Sequence, residues 1–415
     1  MNKKKESKVV PNVRFKGFTD DWKQRKLGEV CEVTMGQSPD GSTYSDEPSD
    51  YILVQGNADL KDGWVVPRVW TSQKTKTAQA GDLIMSVRAP VGAMGKTAYD
   101  IVIGRGVAAI KGNEFIYQTL VKYDADRYWK KLAAGSTFES VNSDEVKGAI
   151  INVPQDIEEQ KKIGEYFLNL DHLITLNQQK ITLLTKLKKA MLEKMFPKKG
   201  SVIPEIRFNG FANAWEQQKL GEVFETVTDY VAAGSFADLA ENVVYRDTPN
   251  YAQLVRTTDL KNGFHSGSNV YVDKKAFDFL YRVNLDKECI ILPNIGNCGE
   301  VYLVIPDDLP YKHNVLGPNA ILIRSDTSDN VFLSILLQGK DFQEKLSLII
   351  SPNGQTKFNK TELKQISLNM PKQSDEQHQL GAYFSQLDRL ITLHRSKIDK
   401  IKNMKKAMLD QMFIQ

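Results

Sequence analysis

The chain repeats part of its own sequence, and this repeat limits its possible folds more than any other feature of the 415 residues. Residues 10–30 read VPNVRFKGFTDDWKQRKLGEV, and residues 203–223 read IPEIRFNGFANAWEQQKLGEV. Residues 154–196 align without gaps to residues 371–413. The repeating unit of about 200 residues has the size of a domain and is too long for a solenoid repeat. We therefore expect two homologous domains.

The stretches between the repeated blocks differ between the two halves. They share only fragments, such as Asp59-Leu60-Lys61 in the first half and Asp259-Leu260-Lys261 in the second. Each half thus consists of an opening block, a variable middle and a closing block. Similar ends around different middles indicate a common frame that carries two different specificities.

The closing blocks have the spacing of long amphipathic helices. Apolar residues recur at alternating steps of four and three, which is typical of a coiled-coil seam. The seam runs through Ile163, Phe167, Leu170, Ile174, Ile181, Leu184, Met191 and Met195 in the first copy, and through Leu380, Phe384, Leu387, Ile391, Ile398, Ile401, Met408 and Met412 in the second. About 40 residues at 1.5 Å each make a rod of about 60 Å. We expect the two helices to pack antiparallel around a pseudo-twofold axis, with the domains at opposite ends.

A polar residue interrupts the apolar seam near the middle of each helix. An antiparallel pairing brings Asn177 of the first helix close to His394 of the second. One interpretation is a polar pair that sets the register of the helices. The other is a seam position turned partly towards solvent.

The variable middles read as short strands punctuated by glycine and proline, with one helix each. Strands are predicted over 51–55, 64–67, 82–87, 96–104 and 107–110, and over 251–256, 289–292, 300–305 and 320–323. The helices are predicted over 116–133 and 330–347. The expected fold class is α/β (α+β), with small α/β domains over 1–155 and 198–372 and long helices over 156–197 and 373–415.

Enzyme motifs are missing from the sequence. Residues 90–97, PVGAMGKT, end like a phosphate-binding P-loop, but Pro90 stands where the leading glycine belongs, and a strand rather than a helix is predicted to follow. We interpret Arg88-Ala89-Pro90-Val91-Gly92 as a tight basic loop between two strands. The sequence contains no G-x-S-x-G, H-E-x-x-H or G-x-G-x-x-G motif. We therefore expect no catalytic site and no cofactor in this chain.

The charge balance permits nucleic-acid binding without requiring it. The net charge is +4, from 55 Lys and Arg against 51 Asp and Glu, so DNA binding would need a local basic face. The three cysteines and five histidines show no metal-ligand spacing, so we expect no metal site. Few cysteines, no membrane-spanning apolar run and no signal-peptide core predict a cytoplasmic protein.

The loops of both middles contain side chains of the types that contact DNA. Arg, Asn, Gln, Ser and Thr read base edges, while Lys, Arg and hydroxyl groups contact phosphates. The candidates in the first half are Gln37, Ser38, Tyr44, Gln55, Asn57, Arg68, Arg88, Arg105, Ser136 and Thr137. In the second half they are Arg246, Arg256, Thr257, Asn294, Asn297, His313, Asn314, Gln355, Thr356 and Lys357.

These features together resemble the specificity subunit of type I restriction–modification systems. The resemblance rests on RFKGFTDDWKQRKLGEV and RFNGFANAWEQQKLGEV, and on VPQDIEEQKKIGEYFLNLDHLITL and MPKQSDEQHQLGAYFSQLDRLITL. The segments GDLIMSVRAPVG, IGRGVAAI and AAGSTFESV of the first middle resemble the target-recognition domains of that family. The second middle has NIGNCGEV where the first has VRAPVGAMG, so the resemblance does not transfer the position of Arg88 to residue 294.

The resemblance implies a division of labour between this chain and partner subunits. Each domain would read one half of a bipartite site in double-stranded DNA, and the helices would set the spacer. Two methyltransferase subunits that use S-adenosylmethionine would dock on the helices, and translocating restriction subunits would add cleavage that depends on ATP and Mg. Three other interpretations stay open: an autonomous DNA-binding protein, a scaffold whose duplicated domains bind protein, and a subunit of a related restriction system with different cleavage chemistry.

Overall fold

The computed structural model describes residues 10–133, 139–198, 200–264, 267–351 and 356–414. The chain forms two compact units. The first unit combines residues 1–180 with residues 394–415, and the second consists of residues 181–393. Each unit therefore contains one opening block, one variable middle and a segment of each closing block.

The first half of the chain consists of short strands followed by a long helix. Its strands are β1 (Lys23–Lys26), β2 (Glu32–Met35), β3 (Tyr44–Ser45), β4 (Tyr51–Val54), β5 (Leu60–Lys61), β6 (Trp64–Val65), β7 (Val69–Thr71), β8 (Thr77–Ala78), β9 (Leu83–Ser86), β10 (Met94–Lys96), β11 (Ile101–Ile103), β12 (Val107–Lys111) and β13 (Ile150–Val153). Its α-helices are α1 (Leu27–Val30), α2 (Glu114–Ala125), α3 (Tyr128–Ala133), α4 (Ser143–Gly148) and α5 (Ile157–Lys194). The strands form sheets in the orders β1-β13, β2-β12-β9-β10-β6-β5 and β3-β7-β4-β11-β8.

Over the described residues, the second half has fewer strands and more helices than the first. Its strands are β14 (Glu216–Lys219), β15 (Thr226–Asp229), β16 (Ala252–Val255), β17 (Val270–Val272), β18 (Cys289–Pro293), β19 (Tyr302–Val304), β20 (Asn314–Leu316), β21 (Ala320–Arg324) and β22 (Ser367–Met370). Its α-helices are α6 (Leu220–Val223), α7 (Phe236–Asn242), α8 (Thr257–Lys261), α9 (Lys274–Phe279), α10 (Asn330–Gln338), α11 (Lys340–Ile349), α12 (Lys360–Gln365) and α13 (Ser374–Met412). The sheets have the orders β14-β22, β15-β21-β18-β19 and β17-β16-β20.

The two middles share a strand arrangement although their sequences differ. The antiparallel order β2-β12-β9-β10 of the first corresponds to β15-β21-β18-β19 of the second. The order β7-β4-β11 corresponds to β17-β16-β20, with one antiparallel and one parallel pair in each. The predicted α/β class is confirmed, and the duplication extends through the middles as well as the repeated blocks.

One predicted strand and both predicted middle helices are divided in the structure. Residues 96–104 do not form a single strand, because Thr97 Oγ1 donates a hydrogen bond to the carbonyl of Tyr99 (2.8 Å) in a turn that separates β10 from β11, which lies in another sheet. The helix predicted over 116–133 divides into α2 and α3 near Arg127, whose φ is 60°. The helix predicted over 330–347 divides into α10 and α11 at Gly339.

A buried ion pair joins each opening block to its closing block. The guanidinium of Arg14 donates to the Glu159 carboxylate at 2.5 and 2.8 Å, and that of Arg207 donates to Glu376 at 2.6 and 2.7 Å. Both carboxylates are almost completely buried. A buried charge is stable only when it is paired and hydrogen-bonded. The repeated Arg and Glu of the sequence motifs therefore belong to the frame.

The core of each unit is completed by the end of a long helix. In the first unit Phe413, just after α13, stacks on Phe115 with ring centroids 5.2 Å apart. In the second unit Phe196, just after α5, stacks on Phe332 at 6.3 Å. Buried aromatic rings contribute large apolar areas and a preferred packing geometry. The repeated KKAMLxxMF motif thus supplies core residues to both units.

Candidate nucleic-acid interface

A cleft in the first unit brings together several sequence candidates. It lies where the segments after β2 and β4, the loop after β9 and the turn before β12 meet, and its volume is about 620 Å³. Its walls include Ser38, Tyr44, Gln55, Asn57, Arg88 and Arg105. Residues distant in sequence meet here because β2, β12 and β9 are neighbours in one sheet. We call this site the first cleft.

The backbone around the two cleft arginines is held by hydrogen bonds. The carbonyl of Arg88 accepts from Ser86 Oγ at 2.9 Å, and the amide of Arg105 donates to Ser38 Oγ at 3.2 Å. The loop after β9 also needs Gly92, because its φ is +99° and a Cβ there would lie 2.6 Å from the ring of Trp129. Both arginine side chains are exposed.

The guanidinium groups of Arg88 and Arg105 are free within the described part of the chain. Within the described ranges, no hydrogen bond or ion pair involves the side chain of Arg88 or Arg105. Their donors are therefore available to a ligand. A guanidinium matches the O6 and N7 acceptors of guanine in the major groove, and it also matches a phosphate.

Arg256, another sequence candidate, is committed to the protein. Its guanidinium donates to the Asp259 carboxylate at 2.9 and 2.7 Å and to the Ser268 carbonyl at 2.6 Å. The hydrogen bond to Asp259 is the main reason that the pKa of Arg256 is raised. Because Asp259 is fully buried, this arginine anchors the start of α8.

Arg68 and Arg246 are exposed but lie near carboxylates. Arg68 Nε is 3.3 Å from Asp59, and the Arg246 guanidinium is 3.7 Å from Asp273. Neither Arg68 nor Arg246 lines the first cleft. Gln37 is exposed and directly precedes Ser38, which lines the first cleft. Among the residues that the structure describes, Arg88 and Arg105 are thus the cleft arginines whose donors have no partner.

Four candidates of the second half meet at one loop pair: Asn294, Asn297, Thr356 and Lys357. The amide of Gly296 donates to the Thr356 carbonyl at 2.9 Å, and Thr356 Oγ1 donates to the Gly296 carbonyl at 2.6 Å. Lys357 is exposed and forms a bridge with Ile295. Asn297, Thr356 and Lys357 are exposed and therefore accessible to a ligand.

Other candidates of the second half are less accessible. Asn314 was expected on a loop, which is wrong: it lies in β20 with 5% of its surface exposed, and its amide donates to the Tyr311 carbonyl at 2.6 Å. The ring of His313 stacks on Tyr251 with centroids 4.6 Å apart. Thr257 is half-buried at the start of α8.

Three further candidates, Ser136, Thr137 and Gln355, lie outside the described residues.

The strand register identifies which residues occupy equivalent positions in the two units. Ser86 pairs with Val107 in the first, and Pro293 pairs with Ala320 in the second. Arg88 lies two residues after the end of β9, and Ile295 lies two residues after the end of β18. Arg88 forms a bridge with Ser140, two residues before the N-cap of α4, and Ile295 forms a bridge with Lys357, two residues before the N-cap of α12. Residue 295, rather than 294, is therefore the counterpart of Arg88.

The predicted helix pair Asn177 and His394 is in direct contact. The amide of Asn177 donates to the Leu173 carbonyl at 2.7 Å, so its Oδ1 faces the imidazole and accepts from His394 Nδ1 at 2.7 Å. Burial lowers the pKa of His394, and the positive charges of Lys180 and Lys397 lower it further. A role of this pair in setting the helix register stays a prediction.

Two lysine–aspartate pairs between the long helices were not predicted. Lys405 of α13 donates to Asp171 of α5 at 2.6 and 2.8 Å in the first unit. Lys188 of α5 donates to Asp388 of α13 at 2.8 Å in the second unit. The first unit also has the contact between Asn177 and His394, and the second has the rings of Phe196 and Phe384 with centroids 5.8 Å apart. With two contacts in each unit, the helix segments are seen to run antiparallel. The signal was present in the sequence, because the Asp of LDxLITL and the Lys of KKAM recur in both closing blocks.

The segment that resembles a P-loop has another role. Lys96 lies in β10, its Nζ is 2.9 Å from Glu114, and the ring centroid of Tyr117 is 4.5 Å away. Its charge is therefore already paired, and residues 88–92 connect two antiparallel strands as predicted.

The described residues contain no group of three or more His, Cys, Asp and Glu side chains that could hold a metal ion. No helix in the described ranges combines the length and apolar character needed to cross a membrane.

Comparison with known proteins agrees with the duplicated architecture. The sequence pattern of the type I restriction modification DNA specificity domain matches residues 19–186 and, a second time, residues 212–403. The chain belongs to the family of type I restriction–modification specificity subunits. It therefore carries two DNA specificity domains, one in each half.

Relatives of this chain include two proteins from Methanocaldococcus jannaschii. The putative type I restriction enzyme MjaX specificity subunit is 29% identical over 183 residues, which cover 42% of this chain and 42% of that protein. The type I restriction enzyme MjaVIII specificity subunit is 22% identical over 413 residues, which cover 94% of this chain and 92% of that protein.

Two solved structures have the same fold. The type I restriction–modification S subunit from M. genitalium matches with a TM-score of 0.64 at 15% identity, over 98% of this chain and 99% of that one. A chain from a study of complex assembly and conformational transition of the type I R-M system matches with a TM-score of 0.51 at 15% identity, over 94% and 97%.

Proposed function

We propose that this chain is the non-catalytic subunit that selects the DNA sequence for a type I restriction–modification complex in the cytoplasm. Each unit reads one half of a bipartite site in double-stranded DNA. The observation that carries the proposal is the first cleft, which lies within a DNA specificity domain. Two exposed arginines lie there among polar side chains, and their guanidinium groups have no partner among the residues that the structure describes.

The composition of the first cleft suits base reading. Bidentate contacts from arginine to guanine are the commonest specific contacts in the major groove, and amides and hydroxyls contact other base edges. Arg88 and Arg105 supply the guanidinium groups, while Gln55, Asn57 and Ser38 supply amide and hydroxyl groups. Because the chain carries only +4 overall, further phosphate contacts come from partner subunits.

Exposed leucines on the long helices support the docking of two identical partners. Leu173 and Leu176 of the first unit and Leu390 and Leu393 of the second are the same residues of the repeated LITL motif, and all four are exposed. Exposed apolar patches on helices mark sites of association. Two equivalent patches suit two methyltransferase subunits, one on each unit.

The catalytic cofactors belong to the partners in this proposal. S-adenosylmethionine is held by the methyltransferase subunits, and ATP with Mg by the restriction subunits. This chain binds none of them. The long helices set the spacer between the half-sites, since α5 alone has 38 residues and is about 57 Å long.

The test is co-expression of this chain with a type I methyltransferase subunit, followed by mapping of methylated adenines. A split motif is expected, and exchange of residues 230–350 for those of another family member should change only one side of it. Modification that does not depend on this chain, or an unsplit motif, would contradict the proposal.

Substitution of Arg88 provides a sharper test. The Arg88→Ala variant should lose about 5- to 150-fold in discrimination at one position of one half-site, because a bidentate base contact contributes about 1–3 kcal/mol. Arg25→Ala is the matched control, since Arg25 is exposed in β1 and lies outside the first cleft. Competition binding with single-base variants of the mapped site measures both. Equal losses at both half-sites would show that Arg88 acts on folding instead.

A further inference from the structure

The second unit has a cleft at the position of the first cleft, but its walls have different chemistry. It lies between the ends of β15 and β18, the turn before β21 and helix α7, and its volume is about 480 Å³. Its walls include Val231, Phe236, Leu239, Val243, Tyr245 and Ile295. We call this site the second cleft.

Equivalent positions in the two clefts change from polar to apolar. By strand register, Ile295 replaces Arg88 and Pro318 replaces Arg105. Met35 pairs with Ala108, and Asp229 pairs with Ile321 at the equivalent place in the second unit. Val231, two residues after Asp229, therefore takes the position of Gln37, two residues after Met35. The fold thus presents the same strand ends in both units with different side chains.

The apolar wall of the second cleft is open to solvent. Phe236 is 84% exposed at the start of α7, and Val231 and Tyr245 are also exposed. A cluster of exposed aromatic and aliphatic side chains around a concavity indicates a surface that is covered in a complex. A ligand that covers this wall has to offer apolar groups there. The arginines at the equivalent positions of the first cleft instead suit a ligand with hydrogen-bond acceptors.

We propose that the second cleft reads the 5-methyl groups of thymines in the major groove, whereas the arginines of the first cleft read guanine. The inference rests on the proposed function, because it assigns base types to the two half-sites. Thymine carries the methyl group in the major groove, and apolar side chains distinguish thymine from the other bases by contact with it.

The charges around the second cleft suit a DNA ligand. Asp229 is the acidic residue of its wall, and Lys360 Nζ pairs with its carboxylate at 2.8 Å. Lys357, opposite Ile295, is exposed, and among the described residues its ammonium group has no partner. Lys357 therefore places a positive charge beside Ile295, where a phosphate can approach the apolar floor. The acidic side chains of α7, Asp238 and Glu241, are exposed and do not line the cleft.

Modified bases test this inference with the full chain bound to its methyltransferase. Once methylation mapping has defined the site, and Arg88→Ala has shown which half-site the first unit reads, uracil replaces thymine in the other half-site. This change removes only the methyl group. Affinity should fall about fourfold for each methyl group contacted, which is the effect of exposing about one buried carbon. Uracil in the half-site of the first unit should have no such effect, whereas 7-deazaguanine there should weaken binding.

Two variants complete the test. Phe236→Ala should weaken binding to thymine-containing DNA and reduce the effect of uracil, and Ile295→Arg should shift the preferred base towards guanine in the half-site of the second unit. Leu348→Ala is the matched control, because Leu348 is 85% exposed and does not line the second cleft.

A half-site of the second unit without thymine, or equal affinity for uracil and thymine there, would overturn the inference while leaving the proposed function intact. A Phe236→Ala variant that reads DNA normally but fails to assemble with the methyltransferase would instead assign the second cleft to a protein partner. Loss of any sequence dependence in the native complex would contradict the proposed function itself.

Discussion

The carboxylate of Glu159 is buried in the first unit and accepts two hydrogen bonds from Arg14, at 2.5 and 2.8 Å. Arg207 and Glu376 repeat this geometry in the second unit. By contrast, Arg88 and Arg105 have no internal partner among the described residues. The same residue type therefore has opposite roles, and what decides between them is the presence of a buried carboxylate within reach.

Replacement of Arg14 tests the structural role. Arg14→Met should destabilise the first unit by about 3–5 kcal/mol, because it leaves the buried Glu159 charge without compensation. Arg207→Met is the matched variant for the second unit. Denaturant unfolding followed by far-ultraviolet circular dichroism measures both. The double variant Arg14→Met/Glu159→Leu should recover much of the loss, and an unchanged unfolding curve for Arg14→Met would contradict the assignment.

His394 should make the stability of the first unit depend on pH. Its pKa is lowered in the folded chain by burial, Lys180 and Lys397, so the unfolded chain binds more protons in weak acid. The contribution of the neutral imidazole is fully present above the ordinary histidine pKa and is lost as pH falls through the lowered pKa of the folded chain.

The melting temperatures at pH 8 and pH 5 measure this contribution. The decrease in melting temperature from pH 8 to pH 5 should be smaller in His394→Asn and in Lys180→Gln than in the native chain. Identical decreases in all three proteins would show that His394 is not the group responsible.

At the scale of elements, local and long-range patterns differ in how well they can be predicted. The long helices were expected over 156–197 and 373–415 and extend over Ile157–Lys194 and Ser374–Met412. Heptad spacing is a local property, so one sequence suffices to find it. The segment 96–104 was read as one strand, since nothing local shows that β10 and β11 belong to different sheets.

The pairing of strands is decided by distant parts of the chain. β4 pairs in parallel with β11, and β16 pairs in parallel with β20, although about 50–60 residues separate the partners. Parallel neighbours need long connections, and these carry no short-range signal of which strands will meet. Only this strand pairing shows that the two divergent middles share one strand order.

At the scale of the whole molecule, the duplication predicts the stoichiometry of the complex. The double variant Leu173→Glu/Leu176→Glu should remove one of two methyltransferase subunits, because charge replaces the apolar patch of one unit. Leu390→Glu/Leu393→Glu should remove the other, and all four substitutions should remove both.

Native mass spectrometry of the co-expressed proteins measures the subunit ratio. Leu348→Glu is the control, because Leu348 is more exposed than these four leucines, at 85%, and lies outside the LITL motif. Two methyltransferase subunits retained by either double variant would show that docking uses another surface.

The sequence by itself determined the duplication, the two long helices, the contact of Asn177 with His394 and the family, because each depends on residues close together or on a constant offset between copies. The tertiary structure alone decided which candidates share a cleft, that Arg256 is tied to Asp259 and Asn314 lies in a strand, and that Ile295 stands in the place of Arg88. These facts depend on strand register and burial. Both are set by contacts between residues far apart in the chain, so spacing along the sequence does not reveal them.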